Sequence, residues 1–221
     1  MTANSLLWLL QANDSAYPSG SYAHSLGLEE LVESGVVHDP ASLESYFQKQ
    51  VVPALLTFEI PYFVRCHQSV SSGDSTNLLA LDAELDAWRI PAELKDASRR
   101  VGSQRLALLA QLHPGELVNR QLRSAPRSHL LVVSALELAE LPLDQAARAV
   151  AFQAIAGLTA ASMKLLRIGQ TSCQLIARRT MILLESKMDA SLSMPFDGWF
   201  NPLLEIASLR HARAHARLFI S

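Results

Sequence analysis

The sequence predicts an all-α protein: a single-domain compact bundle of about ten helices joined by short loops. Apolar residues recur at steps of three and four rather than alternating, as a helix with one buried face requires. The 9 Gly and 10 Pro fall mostly between those runs. Neither a fixed-period repeat nor a low-complexity tract interrupts the chain, which argues against a solenoid or a long linker. With 221 residues and no break in composition, residues 1–221 read as one domain with one core.

In chain order, a short helix over Ser5–Gln11 precedes a dense cluster of turn formers, Asn13 to Ser21. A helix from about His24 to Ser34 puts Leu28, Leu31 and Val32 on one face and stops at Gly35, which suits a left-handed C-terminal cap. Asp39 and Pro40 open the next helix as N-cap and first residue, and Leu43, Phe47 and Val51 carry its stripe. Pro53 and Pro61 remove hydrogen bonds from the following stretch, so kinks or breaks are expected there. After a loop at 71–75 come a helix over Ser75–Trp88 and a long one opened by Pro91, with Leu94, Ala97, Val101, Leu108 and Leu112 as its buried line. His129–Glu140 is almost wholly apolar. Pro142 starts a helix whose Ala146, Val150, Ala154, Gly157 and Ala161 form a small-residue stripe suited to close backbone approach, which marks it as the central helix. A helix over Thr171–Ser186, a loop over Met188–Asn201 and a last helix from Pro202 complete the bundle.

Composition narrows the function. A net charge of -2 gives no clustered basic excess for nucleic acid or an anionic membrane. Leu6–Leu10 is too short for a signal core or a membrane span, so a cytoplasmic protein is expected. Cys66 and Cys173, with no CxxC, suit reduced and part-buried thiols. Hydrophobic residues make up 49% and charged residues 18%, a surplus of apolar surface that partner proteins can cover.

Catalytic signatures are absent: there is no phosphate-binding GxxxxGK[ST], no GxGxxG after a strand, no HExxH and no GxSxG. Ser15 or Ser25 with His24 would make a nucleophile and base only in a geometry that nothing in the sequence fixes. His211 and His215 share a helical face at i, i+4, the spacing of a two-ligand metal pair but short of a full ligand set, and a helical metal carrier is the alternative that rests on them. Arg210, Arg213 and Arg217 lie on a neighbouring face, where guanidinium forks suit the carboxylates of another protein.

Three separated segments share one pattern: Asp14 to Glu29, Ala161 to Gln174, and His211 to Ser221. Together they resemble the urease accessory protein F (UreF) family. The first is similar to the family's DSAFPxGxFAHSxGLE signature, with Tyr17 and Tyr22 at common Phe positions. The second resembles AAxRLxPLGQTxGQ, with Lys164 at the usual Arg, Arg167 where Pro is frequent and Cys173 where Gly is frequent. The terminus resembles HExxxxRLFxS with Ala212 in place of Glu, and Glu93-Leu94-Lys95 fits an ELR-like element. The resemblance implies a non-enzymatic chaperone of nickel insertion that needs no cofactor of its own. It would work as a homodimer with the urease accessory proteins D (also called H) and G and with the urease apoenzyme, GTP hydrolysis belonging to G. On that view the partner contacts fall on His24, Ser25, Glu29, Lys164, Arg167, Gln170, Arg210, His211, Arg217 and Phe219.

Overall fold

The apolar run over residues 130–137 becomes the innermost element of the fold. In the computed structural model, which describes residues 3–14, 17, 27–198 and 201–211, α9 (Leu130–Glu137) has every residue after its first buried. It lies between α5 (Ile60–Ser71), nine of whose twelve residues are buried, and the long α7 (Ala92–Leu112). No strand occurs among the described residues. Around this centre stand α1 (Ala3–Ala12), α2 (Leu28–Glu33), α3 (Pro40–Tyr46), α4 (Val52–Ala54), α6 (Ser75–Trp88), α8 (Glu116–Ser124), α10 (Leu143–Leu165), α11 (Gln170–Glu185), α12 (Met188–Leu192) and α13 (Pro202–His211). One contiguous apolar core runs from Leu28 to Ala207. The all-α class and the compact bundle are as the sequence predicts.

Local chemistry accounts for the boundaries. Asp39 Oδ1 accepts from the Ser42 N–H at 2.7 Å while Ser42 Oγ accepts from the Asp39 N–H at 3.0 Å, a capping box with Pro40 as first residue. Helix α6 spans the predicted residues, with Asp74 accepting from the Asn77 N–H at 2.9 Å. The N-terminus of α9 lies inside the protein and has no cap of its own. Asp82 of α6 accepts from the His129 N–H at 2.8 Å, and Ser98 Oγ of α7 accepts from the Leu130 N–H at 3.2 Å. Burial pushes the Asp82 carboxyl up to about 6 against the lowering effect of the His129 N–H and Ser128 hydroxyl bonds.

Pro53 and Pro61 do not break the chain. Residues 40–71 form one helical run because a π-helical segment precedes each proline, Phe47–Val51 and Leu55–Glu59. There the Val52 N–H donates to the Phe47 carbonyl and the Ile60 N–H to that of Leu55. The wider turn moves the carbonyls that the proline rings would strike and absorbs the missing donors.

Three further expectations are revised. In α7, Leu94, Ala97 and Val101 are buried as predicted. The second half instead buries Arg105, Leu106 and Leu109, leaving Leu108 half-buried and Leu112 exposed. The centre belongs to α5 and α9 rather than α10. Helix α10 is long and apolar enough, by length and composition, to cross a membrane, but its apolar residues pack on α5 and α11 and its Arg148 pairs with Glu185 at 2.9 Å. The segment after residue 187 contains α12, whose Ser191 hydroxyl donates to the Leu56 carbonyl at 2.6 Å. Cys66 and Cys173 are free thiols, both fully buried.

Close backbone approach occurs at Gly102 of α7, not in the α10 stripe. A Cβ at residue 102 would fall on the Ser128 carbonyl oxygen and lie 2.9 Å from the Leu130 nitrogen, where the chain enters α9. A Cβ at Gly157 would meet nothing within 4 Å. Overpacking against backbone costs about 1–3 kcal/mol, whereas Ala in place of Gly at an open helical position gains up to about 1 kcal/mol. Gly102→Ala is therefore expected to lower the melting temperature by several degrees, and Gly157→Ala to leave it unchanged or raise it by about 2–4 °C. Thermal unfolding of the two variants side by side checks this, and equal shifts would refute the crossing at Gly102.

Candidate functional site

The signature segment is anchored at both of its ends. At the first end the Tyr17 N–H donates to the Asp14 carbonyl at 3.1 Å, and this turn directs the Tyr17 ring inward. The Tyr17 hydroxyl donates to Glu137 Oε1 at 3.0 Å, and the Arg105 guanidinium lies 5.0 Å from the ring centre. Arg105 and Glu137 form a buried ion pair, Nη2 to Oε2 at 2.6 Å, reinforced by Nε at 2.8 Å. Arg105 also reaches the Ala12 carbonyl, and Trp8 Nε1 donates to the Glu137 carbonyl at 2.7 Å. Burial, together with the Glu137 charge, pushes the Tyr17 phenol far above its usual range, so it remains a neutral donor.

At the second end Gly27 caps α2 with φ 86°, a left-handed conformation that favours glycine. This turn lays α2 against α13, with Ala207 Cβ 3.4 Å from where a Cβ on residue 27 would stand. Glu29, in the first turn of α2, is buried and accepts from His211 Nε2 at 2.9 Å. Glu93, in the first turn of α7, accepts from His211 Nδ1 at 2.9 Å. Two ionised carboxylates on the two ring nitrogens are both satisfied only when each nitrogen carries a proton, so the arrangement favours the imidazolium. Burial opposes that charge, but the hydrogen bonds and charges of Glu29 and Glu93 outweigh it and raise the pKa. The three segments of the pattern thus contribute unequally. Glu29 and His211 meet here with Glu93 of the Glu-Leu-Lys element, and the arrangement clamps helices without presenting a base to a substrate.

Lys164, in the last turn of α10, and Arg167 and Gln170, at the joint with α11, are exposed. Leu166 between them is buried, and its N–H closes α10 on the Ser162 carbonyl at 2.9 Å. Arg210 is exposed one residue before the clamp, on a face of α13 where Ile206 and Leu209 are 49% and 53% exposed. His24, Ser25, His215, Arg217 and Phe219 lie outside the described residues. Among the described residues no group of three or more His, Cys, Asp or Glu side chains is disposed to hold a metal. A mostly apolar cavity of about 440 Å³ opens between α1, α7 and α10, with Tyr17, Arg105, Gln153, Gly157 and Leu204 in its wall. Arg105 and Glu137 carried no signal in the sequence, because a lone pair 32 residues apart has no periodic signature. Glu93 was visible only as part of its short element.

Fold and site together define an α-helical scaffold whose internal charges are engaged with one another. The UreF family model matches residues 37–181, more than half of the chain. The urease accessory protein UreF of Klebsiella pneumoniae (strain 342) is 30% identical over 227 residues, covering 100% of this chain and 99% of the relative. That of Arthrobacter sp. (strain FB24) is 30% identical over 224 residues, covering 97% and 96%. That of Bacillus sp. (strain TB-90) is 29% identical over 226 residues, covering 99% and 100%. The chain belongs to the UreF family, a family of accessory proteins and not of enzymes.

The buried pair yields a double-mutant test. Removing one partner of a buried ion pair costs about 3–5 kcal/mol, whereas replacing both with apolar groups costs far less. Glu137→Leu is expected to lose about 3 kcal/mol or more in denaturant unfolding. Arg105→Leu combined with Glu137→Leu should recover a large part of that loss. A double variant as unstable as the sum of the two singles would show that the pair is not coupled.

Proposed function

We propose that this chain is a non-enzymatic scaffold of urease maturation. It docks the accessory protein D/H through its C-terminal segment and the adjoining face of α13, and it recruits the GTPase accessory protein G through a separate surface containing Lys164, Arg167 and Gln170. The observation that carries this reading is likeness over essentially full length to proteins named urease accessory protein UreF. The two sets of exposed residues support the division of surfaces. The α13 face combines Ile206 and Leu209 with Arg210, a mixture of apolar and guanidinium groups characteristic of interface anchors. The α10–α11 joint presents a cationic and amide set of exposed side chains. From such a surface a scaffold tunes hydrolysis by positioning the GTPase's own water and switch elements. A homodimer acting in the cytoplasm on the urease apoenzyme completes the proposal.

The test is co-purification with the cognate D/H and G proteins, sized by light scattering with and without GTP and Mg²⁺. A defined complex is expected. Deleting Arg217–Ser221, which removes an Arg and a Phe, is expected to weaken D/H binding at least about tenfold, the scale of losing one anchor residue. Unchanged affinity in a binding titration would overturn the assignment of the terminus.

A further inference from the structure

The Glu29–His211–Glu93 clamp joins three elements distant in sequence through a single side chain. His211 is the last residue of α13 and is 1% exposed, so the clamp closes at the point from which residues 212–221 begin. Among the described residues the ionisable groups that face the ring are Glu29 from α2 and Glu93 from α7; on α13 itself, neighbouring Arg210 is exposed. A single proton decides the number of bonds. The imidazolium donates to both carboxylates, whereas the neutral ring donates to one and turns a lone pair on the other. A buried carboxylate facing a lone pair is repelled, and α13 can then move away from α2 or α7.

We propose that His211 is a proton-operated latch: held as an imidazolium between Glu29 and Glu93 it locks the end of α13 to α2 and α7, and on losing its proton it releases that end. The direction in pH follows from linkage. The folded pKa lies above the unfolded value of about 6.5. The latch therefore contributes fully below about 6.5 and is lost as pH rises through the folded pKa. This inference rests on the docking reading above only for its consequence, that partner affinity follows the state of the latch. The latch itself is a property of the isolated chain.

Hydrogen–deuterium exchange on the whole chain between pH 6 and 9, corrected for the intrinsic pH dependence of exchange, reads the latch directly. Protection of the amides of residues 205–211 is expected to fall about tenfold per pH unit between about 6.5 and the folded pKa. In Glu93→Gln, whose amide can accept from or donate to the ring, that slope should flatten while protection of α5 and α9 stays as in the wild type. Equal slopes in wild type and variant, or a flat wild type, would overturn the latch. Should the variant fail to fold, an NMR titration of the His211 ring in the wild type decides: a midpoint above about 6.5 supports the latch and one at or below it overturns it. Binding of the D/H protein measured over the same pH range separates the two readings. Affinity falling in step with protection supports both, and affinity independent of pH beside pH-dependent protection retains the latch and removes the docking role of this end.

Discussion

The Arg105–Glu137 ion pair is the constraint on which the arrangement of the other elements depends. Desolvating two charges costs several kcal/mol, and the attraction between them repays this only where the geometry is close and every remaining donor is used. The geometry is close and each guanidinium nitrogen has a partner: Nε and Nη2 reach Glu137, Nη2 also the Ala12 carbonyl and Nη1 the Gln153 Oε1 at 3.4 Å, and the carboxylate accepts from the Tyr17 hydroxyl as well. Satisfying this pair therefore fixes α7 against α9, brings the end of α1 to both and seats Tyr17. Apolar residues of the same size would fill the space without dictating where α1 must end. The charges serve specificity of arrangement more than net stability.

That requirement explains how the signature works as a structural element. Its first part ends in the buried network through Tyr17, and its last part enters the clamp through Gly27 and Glu29. The two anchor points lie about three turns apart along α7, one at Arg105 in its second half and one at Glu93 in its first turn. Helix α7 is thus the bar to which both ends of the signature and the end of α13 are attached. The tight crossing at Gly102 holds that bar against the entry to α9.

What the sequence disclosed follows from the range of the interactions involved. The Asp39 N-cap with Pro40 behind it, the bounds of α6 and the start of α13 at Pro202 are set by residues within four positions of one another, and they were legible; the reciprocal bond from Ser42 was not read. The continuous run through Pro53 and Pro61 was not, because a π segment is chosen by packing on both sides and not by the proline itself. The burial of Arg105 was equally hidden, since a charge enters a core only when a partner from another helix is there to meet it. Periodicity alone placed Leu108 and Leu112 inside, where the pair instead rotates Leu106 and Leu109 inward. For the candidate site, family resemblance picked out Glu29 and His211 as residues that matter. It could not distinguish a side chain that faces a partner from one that holds the fold.

The geometry makes that distinction on a single helix. Ala207, Ser208 and His211 turn inward from α13, while Ile206, Leu209 and Arg210 turn outward three or four residues along the same surface. Substitutions on the inner face change the position of the helix and reach any partner indirectly, through stability and local opening. Substitutions on the outer face leave α13 in place and act only where a partner covers it. A loss of complex formation caused by changing His211 is therefore no evidence that the imidazole touches the partner. The same loss caused by changing Leu209 or Arg210, with α13 still protected from exchange, is direct evidence for contact. On one ten-residue helix, an inner face that holds the fold together is thus told apart from an exposed face that only a partner could cover.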